Sequence, residues 1–313
     1  MTRALIACLQ MQESFESFRP RFDELSIEYV LPTVLQHMTE ADLLPVIADF
    51  DGMIAGDDHL TGRVLERGKR LRIISKWGIG TDGIDLGAAR RLGIEVTNTP
   101  EVFGDDVADV AAGYLVMLAR QLHVIDRSVR DGEWHKHRGV ALSAKTLGIL
   151  GLGSIGRAVA QRGRGFGMRV IGFDVALASA GLAAEQGVEL MAEPEALFRS
   201  ADFLVLCAPA TPETRHIIDN AALGLMPVDS YVVNVSRGAL VDEEALADAL
   251  GAGRLAGAAL DVFEQEPLPA DTRLRGLSGC IFGSHNASNT DQGVTRASER
   301  AVENLIRGLV SRA

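Results

Sequence analysis

Gly151-Leu152-Gly153-Ser154-Ile155-Gly156 follows the apolar run at 146–150 and opens a helical pattern that extends to about residue 164. In a G-x-G-x-x-G turn the first glycine permits the tight bend and the second lets the backbone approach a pyrophosphate. The third allows close packing of helix on strand. The first turn of the helix adds free N–H groups and the positive end of a dipole, which suit an anion. A glycine turn by itself can merely cap a helix. Asp174 makes this one a nucleotide site: it ends the next apolar run, 170–173, and lies 18 positions beyond Gly156. A carboxylate there accepts hydrogen bonds from ribose hydroxyls and repels a 2′-phosphate. Val175 and Ala176 follow with no cation, so the expected cofactor is NAD rather than NADP.

Outward from the turn, short apolar runs alternate with helical patterns, as in βαβ units stacked on parallel sheets. Downstream, residues 146–150, 169–173, 203–207, 231–235, 257–260 and 280–282 read as six strands, which make a complete dinucleotide-binding sheet. Upstream, 4–9, 27–31, 52–55, 71–75 and 94–97 read as strands of a first unit, with helices at 40–48 and 61–68. Asn98-Thr99-Pro100 breaks the pattern, because proline biases the residue before it away from helix. Residues 105–130 then read as one long helix, with Val107, Val110, Ala111, Tyr114, Leu115, Leu118 and Leu122 at helical spacing. Its apolar face is generous for a lone helix and suggests a partner subunit. The expected fold class is α/β, with two doubly wound parallel-sheet domains.

Composition narrows the function classes. The 313 residues are 47% hydrophobic and 23% charged, in the range of a folded domain. A formal net charge of −11 argues against nucleic acid, whose binding depends on Lys and Arg. Cys8, Cys207 and Cys280 are too few and too scattered for a disulfide framework or a metal cluster, so no metal is expected. Cys8 and Cys207 fall in runs that read as strands. The apolar stretch near Met1 is too short for a signal segment, and no run approaches the roughly 18 apolar residues that span a bilayer. A cytoplasmic protein without a membrane partner is expected.

Three further segments place polar residues after apolar strands, where ligands gather on an open sheet. They begin at Asn234, Asp261 and Ser284. Hydride transfer to a 2-oxo acid needs a cation for the carboxylate and an acid for the carbonyl oxygen. Arg237 suits the first task, because its planar fork can grip a carboxylate. His285 suits the second, because imidazole titrates near neutral pH. A neighbouring carboxylate would keep that imidazole protonated, and Glu264 or Glu266 can serve.

Together with Lys76-Trp77-Gly78-Ile79-Gly80-Thr81-Asp82-Gly83-Ile84-Asp85, Lys145-Thr146-Leu147-Gly148-Ile149-Leu150 and Cys207-Ala208-Pro209-Ala210-Thr211-Pro212-Glu213-Thr214, these segments identify a resemblance. The chain resembles the D-isomer-specific 2-hydroxyacid dehydrogenases, which include D-3-phosphoglycerate dehydrogenases and glyoxylate/hydroxypyruvate reductases. The resemblance implies that the glutamate directly before proline, Glu266, is the catalytic one. It implies that Arg237 binds and polarises the substrate and that His285, paired with Glu266, exchanges the proton. Backbone N–H groups of Gly78, Ile79 and Gly80 would receive the substrate carboxylate. Gly151, Gly153, Ser154, Ile155, Gly156, Asp174, Ala208, Val235 and Asp261 would line the NAD site, with Asp261 near the nicotinamide carboxamide.

The resemblance also implies a Rossmann nucleotide domain, 99–287, inserted into a flavodoxin-like substrate domain, 1–98 and 288–313, and a homodimer formed through the helix after Pro100. Two departures stand out. Gly283-Ser284 replaces the Thr-Pro common before the histidine, which suggests a more pliable approach to His285. Asp109 stands where Glu is common, and little is expected of that change.

The substrate stays open between a small acid such as glyoxylate or hydroxypyruvate and a phosphorylated one. Residues 1–97 carry 11 Lys+Arg against 15 Asp+Glu, and Gly56-Asp57-Asp58-His59 is acidic, which favours the small acid. Lys76, Arg72 or Arg138 are the cations that a phosphate would need. A reading from another class is an NAD-sensing dimeric binding protein without turnover.

Overall fold

Runs rich in Val, Ile and Leu, buried on both faces, become parallel strands throughout this chain. The computed structural model describes residues 1–176 and 186–310. By its internal contacts the chain divides into two units, Met1–Val102 with Asn289–Ala313, and Phe103–Ser288.

In the first unit, β1 (Thr2–Ile6), β2 (Ile27–Val30), β3 (Gly52–Ala55), β4 (Ile73–Lys76) and β5 (Glu95–Thr97) form an all-parallel sheet in the order β2-β1-β3-β4-β5. This is the flavodoxin-like order, in which ligands gather at the carboxyl ends of the strands. The helices that follow β3 and β4 begin at side-chain caps. Thr61 accepts the N–H of Val64 ahead of α4 (Gly62–Arg67), and Asp85 accepts that of Ala88 ahead of α5 (Leu86–Leu92). The final helix of the chain, Asp291–Val310, packs on β3 and β4. Ser75 donates to the carbonyl of Ala301 at 2.9 Å, and Trp77 Nε1 to Ser298 Oγ at 3.0 Å.

The second unit opens with α6 (Gly104–Arg120) and α7 (Leu122–Arg130), followed by β6 (Thr146–Leu150), α8 (Ser154–Gly165) and β7 (Arg169–Phe173). β8 (Glu189–Leu190), β9 (Phe203–Leu206), β10 (Ser230–Asn234), β11 (Leu255–Leu260) and β12 (Cys280–Phe282) complete a parallel sheet ordered β12-β11-β10-β9-β6-β7-β8. Read from β8, that is the doubly wound dinucleotide-binding order with one strand added at the far edge. Its core joins Leu150, Ile171, Leu204, Leu206, Val232 and Leu260 to the helices on one face.

Several elements depart from the pattern expected of the sequence. The first strand starts at Thr2 and stops at Ile6, because Cys8 already caps a short helix, Leu9–Ser14. Cys207 likewise lies one residue beyond β9. The helix at Glu40–Leu43 ends early, as Pro45 follows and disfavours helix at Leu44. The long helix expected over 105–130 is two helices. Gln121 adopts a left-handed backbone, φ 54°, and ends α6 with its N–H on the carbonyls of Leu118 and Met117. β8 was not legible because two residues show no periodicity.

Candidate active site

The turn at Gly151–Gly156 takes the form expected of a phosphate cradle. Gly151 has φ +94°, and a Cβ there would stand 2.6 Å from the amide nitrogen of Ala208. At Gly156 a Cβ would collide with the carbonyl oxygen of Gly151, so helix and turn pack backbone to backbone. Asp219 and Asp242 cap the helices Asn220–Leu225 and Glu243–Gly251 with their side chains. Gly153 brings no side-chain cap to α8, and its first amides remain available to an anion.

Asp174 follows β7 directly. Its Oδ2 accepts the N–H of Leu152 at 2.7 Å and its Oδ1 that of Ala176 at 2.8 Å. The acid is thereby fixed beside the glycine turn, where a dinucleotide's ribose would lie. Ser154 and Ile155 open α8, while Ala208 and Val235 are buried at the ends of β9 and β10. An uncapped helix start, a backbone cradle that no side chain could enter and a fixed acid together fit NAD.

Arg237, Glu266 and His285 follow β10, β11 and β12, three adjacent strands, and so emerge at one edge of one sheet. His285 Nδ1 lies 2.7 Å from Glu266 Oε2, with both side chains about one-fifth exposed, 21% and 19%. A carboxylate only accepts, so Nδ1 carries the proton and Nε2 is the atom left for exchange. Glu266 Oε1 accepts the N–H of Phe263 at 3.0 Å, which orients the carboxylate. Glu264, the alternative, is engaged elsewhere: its Oε1 lies 2.6 Å from His216 Nε2 and 3.4 Å from Arg215 Nη2.

Arg237 sits half-buried at the start of a single helical turn, Gly238–Leu240. Its loop is shaped by Asn234, a fully buried residue whose role composition did not reveal. Asn234 Nδ2 donates to the carbonyl of Arg237 at 2.8 Å, and its Oδ1 accepts the N–H of Ser236 at 3.0 Å. The available signal was an Asn at a strand end, a position that favours such local bonds.

Asp261, which the resemblance placed near the nicotinamide, is engaged within the chain. It is 2% exposed, and its carboxylate accepts from Ala287 N at 2.9 Å, Asn286 N at 3.3 Å and Tyr114 Oη at 3.3 Å. Its carbonyl accepts the N–H of His285 at 2.7 Å. Asp261 therefore holds the histidine's loop, in which His285 itself has φ 55°. A non-glycine residue in that region costs on the order of 1–3 kcal/mol, offset here by these bonds. Burial and the Asp261 carboxylate together hold the Tyr114 hydroxyl well above the usual phenol range, so it stays a donor. The approach at Gly283, expected to be pliable, is closely packed. Gly283 bonds through its N–H to Leu260 at 2.8 Å, and a Cβ on it would strike Asp261 Oδ1.

Asp109 pairs with Arg162 of α8 at 2.7 Å, and Asp105 joins it at 3.2 Å. Both acids are largely exposed, so the pairs add little. Burial pushes the thiols of Cys8 and Cys207 up to about 12, which makes them inert packing groups.

Gly78, Ile79 and Gly80 belong to the first unit and follow β4. Gly78 has φ +122°, and its N–H is committed to Thr99 Oγ1 at 2.9 Å. That amide is not open to a carboxylate, contrary to the expectation for all three. The amides of Ile79 and Gly80 make no hydrogen bond among the described residues. Asn98 steadies the loop by donating to the Ile79 carbonyl at 2.8 Å.

Comparison with known proteins adds a relationship to this geometry. A family described as D-isomer specific 2-hydroxyacid dehydrogenase, NAD binding domain, matches residues 112–287. The chain is 39% identical over 267 residues to a glyoxylate reductase of Korarchaeum cryptofilum, covering 83% of this chain and 80% of that one. It is 38% identical over 271 residues to a D-3-phosphoglycerate dehydrogenase of Methanocaldococcus jannaschii, covering 86% of this chain but about half, 51%, of that longer one. Among solved structures it is similar to a D-lactate dehydrogenase of Aquifex aeolicus complexed with NAD and lactic acid. That match has a TM-score of 0.88 and 26% identity, and covers 99% of this chain and 96% of the other.

Proposed function

Because the chain belongs to the D-isomer specific 2-hydroxyacid dehydrogenases, a family with an NAD-binding domain, we propose that it reduces a small 2-oxo acid to the D-2-hydroxy acid, or the reverse, with glyoxylate or hydroxypyruvate as the type substrate. The His285–Glu266 pair at the sheet edge carries this reading. When bound, NAD(H) supplies or accepts the hydride. Arg237 grips the carboxylate and polarises the carbonyl. His285 Nε2 gives its proton to the carbonyl oxygen, and Glu266 holds Nδ1–H and balances the imidazolium charge. Ile79 and Gly80 are assigned to the substrate carboxylate, with Gly78 shaping the turn. Asp174 is assigned to the ribose, and Ser154, Ile155, Ala208 and Val235 to the remaining NAD contacts. Asp261 is a positioning residue for His285.

A homodimer and a cytoplasmic setting belong to the same reading. α7 has no buried residue, and Leu122, Val129 and Trp134 on or just after it are exposed, which supports a protein partner there. No helix among the described residues is long and apolar enough to cross a membrane. The free thiols Cys8, Cys207 and Cys280 suit a reducing compartment.

The test is NADH oxidation over glyoxylate, hydroxypyruvate, phosphohydroxypyruvate, pyruvate and bulkier 2-oxo acids, with the chirality of the product determined. Turnover to the D product supports the proposal. Tight NAD binding with silence across the panel points instead to the sensing role.

A further inference from the structure

Lys76 ends β4, immediately before Trp77-Gly78-Ile79-Gly80, and is only 5% exposed. Its Nζ donates to the carbonyl of Trp77 at 2.8 Å and lies 3.2 Å from Asp57 Oδ1. A Cβ on Gly78 would stand 3.0 Å from that same Nζ, so the ammonium lies against the first glycine of the loop. A buried ammonium is costly unless paired, and Asp57, its side chain 40% exposed, supplies the opposite charge.

Of the two first-unit cations that the sequence marked for a phosphate, Lys76 alone lies at this end of β4. Arg72 precedes β4 at its opposite end, four residues and roughly 13 Å of strand from Lys76. Arg138 belongs to the second unit. Two further acids lie close in the chain. Asp58 is buried, with its carboxylate accepting from Met38 N at 2.7 Å and Gly56 N at 2.8 Å, and Asp82 is exposed.

We infer that the Asp57–Lys76 ion pair sets the substrate class, selecting 2-oxo acids whose only anion is the carboxylate, with Asp57 the specificity-determining residue. The inference rests on the assignment of Ile79 and Gly80 to that carboxylate. The cation nearest the loop is already balanced, and the partly exposed face of Asp57 repels a second anion. Phosphohydroxypyruvate is thereby disfavoured against hydroxypyruvate, which differs only in the phosphate.

The experiment compares kcat/KM for phosphohydroxypyruvate and hydroxypyruvate in the full chain and in Asp57→Asn, which keeps the shape and an acceptor for Lys76. The ratio is expected to rise about tenfold toward the phosphorylated acid as the single negative charge that compensates Lys76 is lost. Asp57→Glu restores the charge and should return the ratio toward that of the parent. An unchanged ratio in an Asp57→Asn protein with a native melting profile overturns the inference. Should that variant not fold, Lys76→Met tests the same pairing. Loss of the ammonium leaves Asp57 unbalanced, so the ratio should fall about tenfold further for the phosphorylated acid, and an unchanged ratio overturns the inference. If the unaltered chain reduces no 2-oxo acid, the proposed function fails and this inference with it. Activity with unmoved ratios sinks this inference alone.

Discussion

His285 Nδ1 stands 2.7 Å from Glu266 Oε2, and the other oxygen of that carboxylate is held at 3.0 Å by the N–H of Phe263. The imidazole is thus oriented by a group that is itself oriented, on loops after neighbouring strands. Such an arrangement fixes which ring nitrogen exchanges a proton.

Replacing His285 by Ala, or Arg237 by Ala, should lower kcat/KM by a hundredfold to ten-thousandfold, on the order expected for loss of a proton donor or a transition-state contact. NADH affinity, read by fluorescence titration, should change little. Full turnover in either variant contradicts the mechanism.

Glu266→Gln removes the negative charge beside the imidazole. Reduction requires the protonated ring, and the carboxylate favours that form. The alkaline decline of reductive turnover should therefore move to lower pH. A pH profile coincident with that of the parent would show that the pair does not govern the proton.

Asp174→Ala should raise the KM for NAD about tenfold while affecting NADP less, as the repulsion of a 2′-phosphate disappears. The Leu152 amide also loses its partner, so Asp174→Asn separates the charge from the hydrogen bond. A parent enzyme that already prefers NADP would refute this role.

Gly156→Ala places a methyl against the Gly151 carbonyl. Overpacking of this kind costs about 1–3 kcal/mol and should displace the cradle. Thermal unfolding and NADH titration should both report a loss, and a variant with unaltered binding would show that the turn has slack.

Asp261→Asn puts an amide where two backbone N–H groups and Tyr114 now donate. The expected result is a loss of about 1–3 kcal/mol in stability and a larger fall in kcat than in NADH affinity. The reverse pattern, affinity falling more than kcat, would return Asp261 to the nicotinamide.

Strands β3, β6, β7 and β12, the glycine turn, Asp174 and the three chemical segments were legible in the sequence. Apolar period, turn glycines and strand-end polar residues are local signals that need no knowledge of where the chain returns. Residue type and placement also marked Arg237 and His285 as candidates. The choice between Glu264 and Glu266 was left to family resemblance, and the structure supplies a geometric basis for it, since only one of them faces His285.

The tertiary structure decided how each polar group is used. Thr99 takes the Gly78 amide across 21 positions, Asp261 holds the His285 loop across 26, and Asp57 balances Lys76 across 19. A hydrogen bond or ion pair depends on separation in space, and separations of that length carry no periodic trace in the chain. The glycine turn and its acid thus announced NAD by themselves. Whether a given amide, carboxylate or ammonium remains available to a substrate was set only when distant strands came side by side.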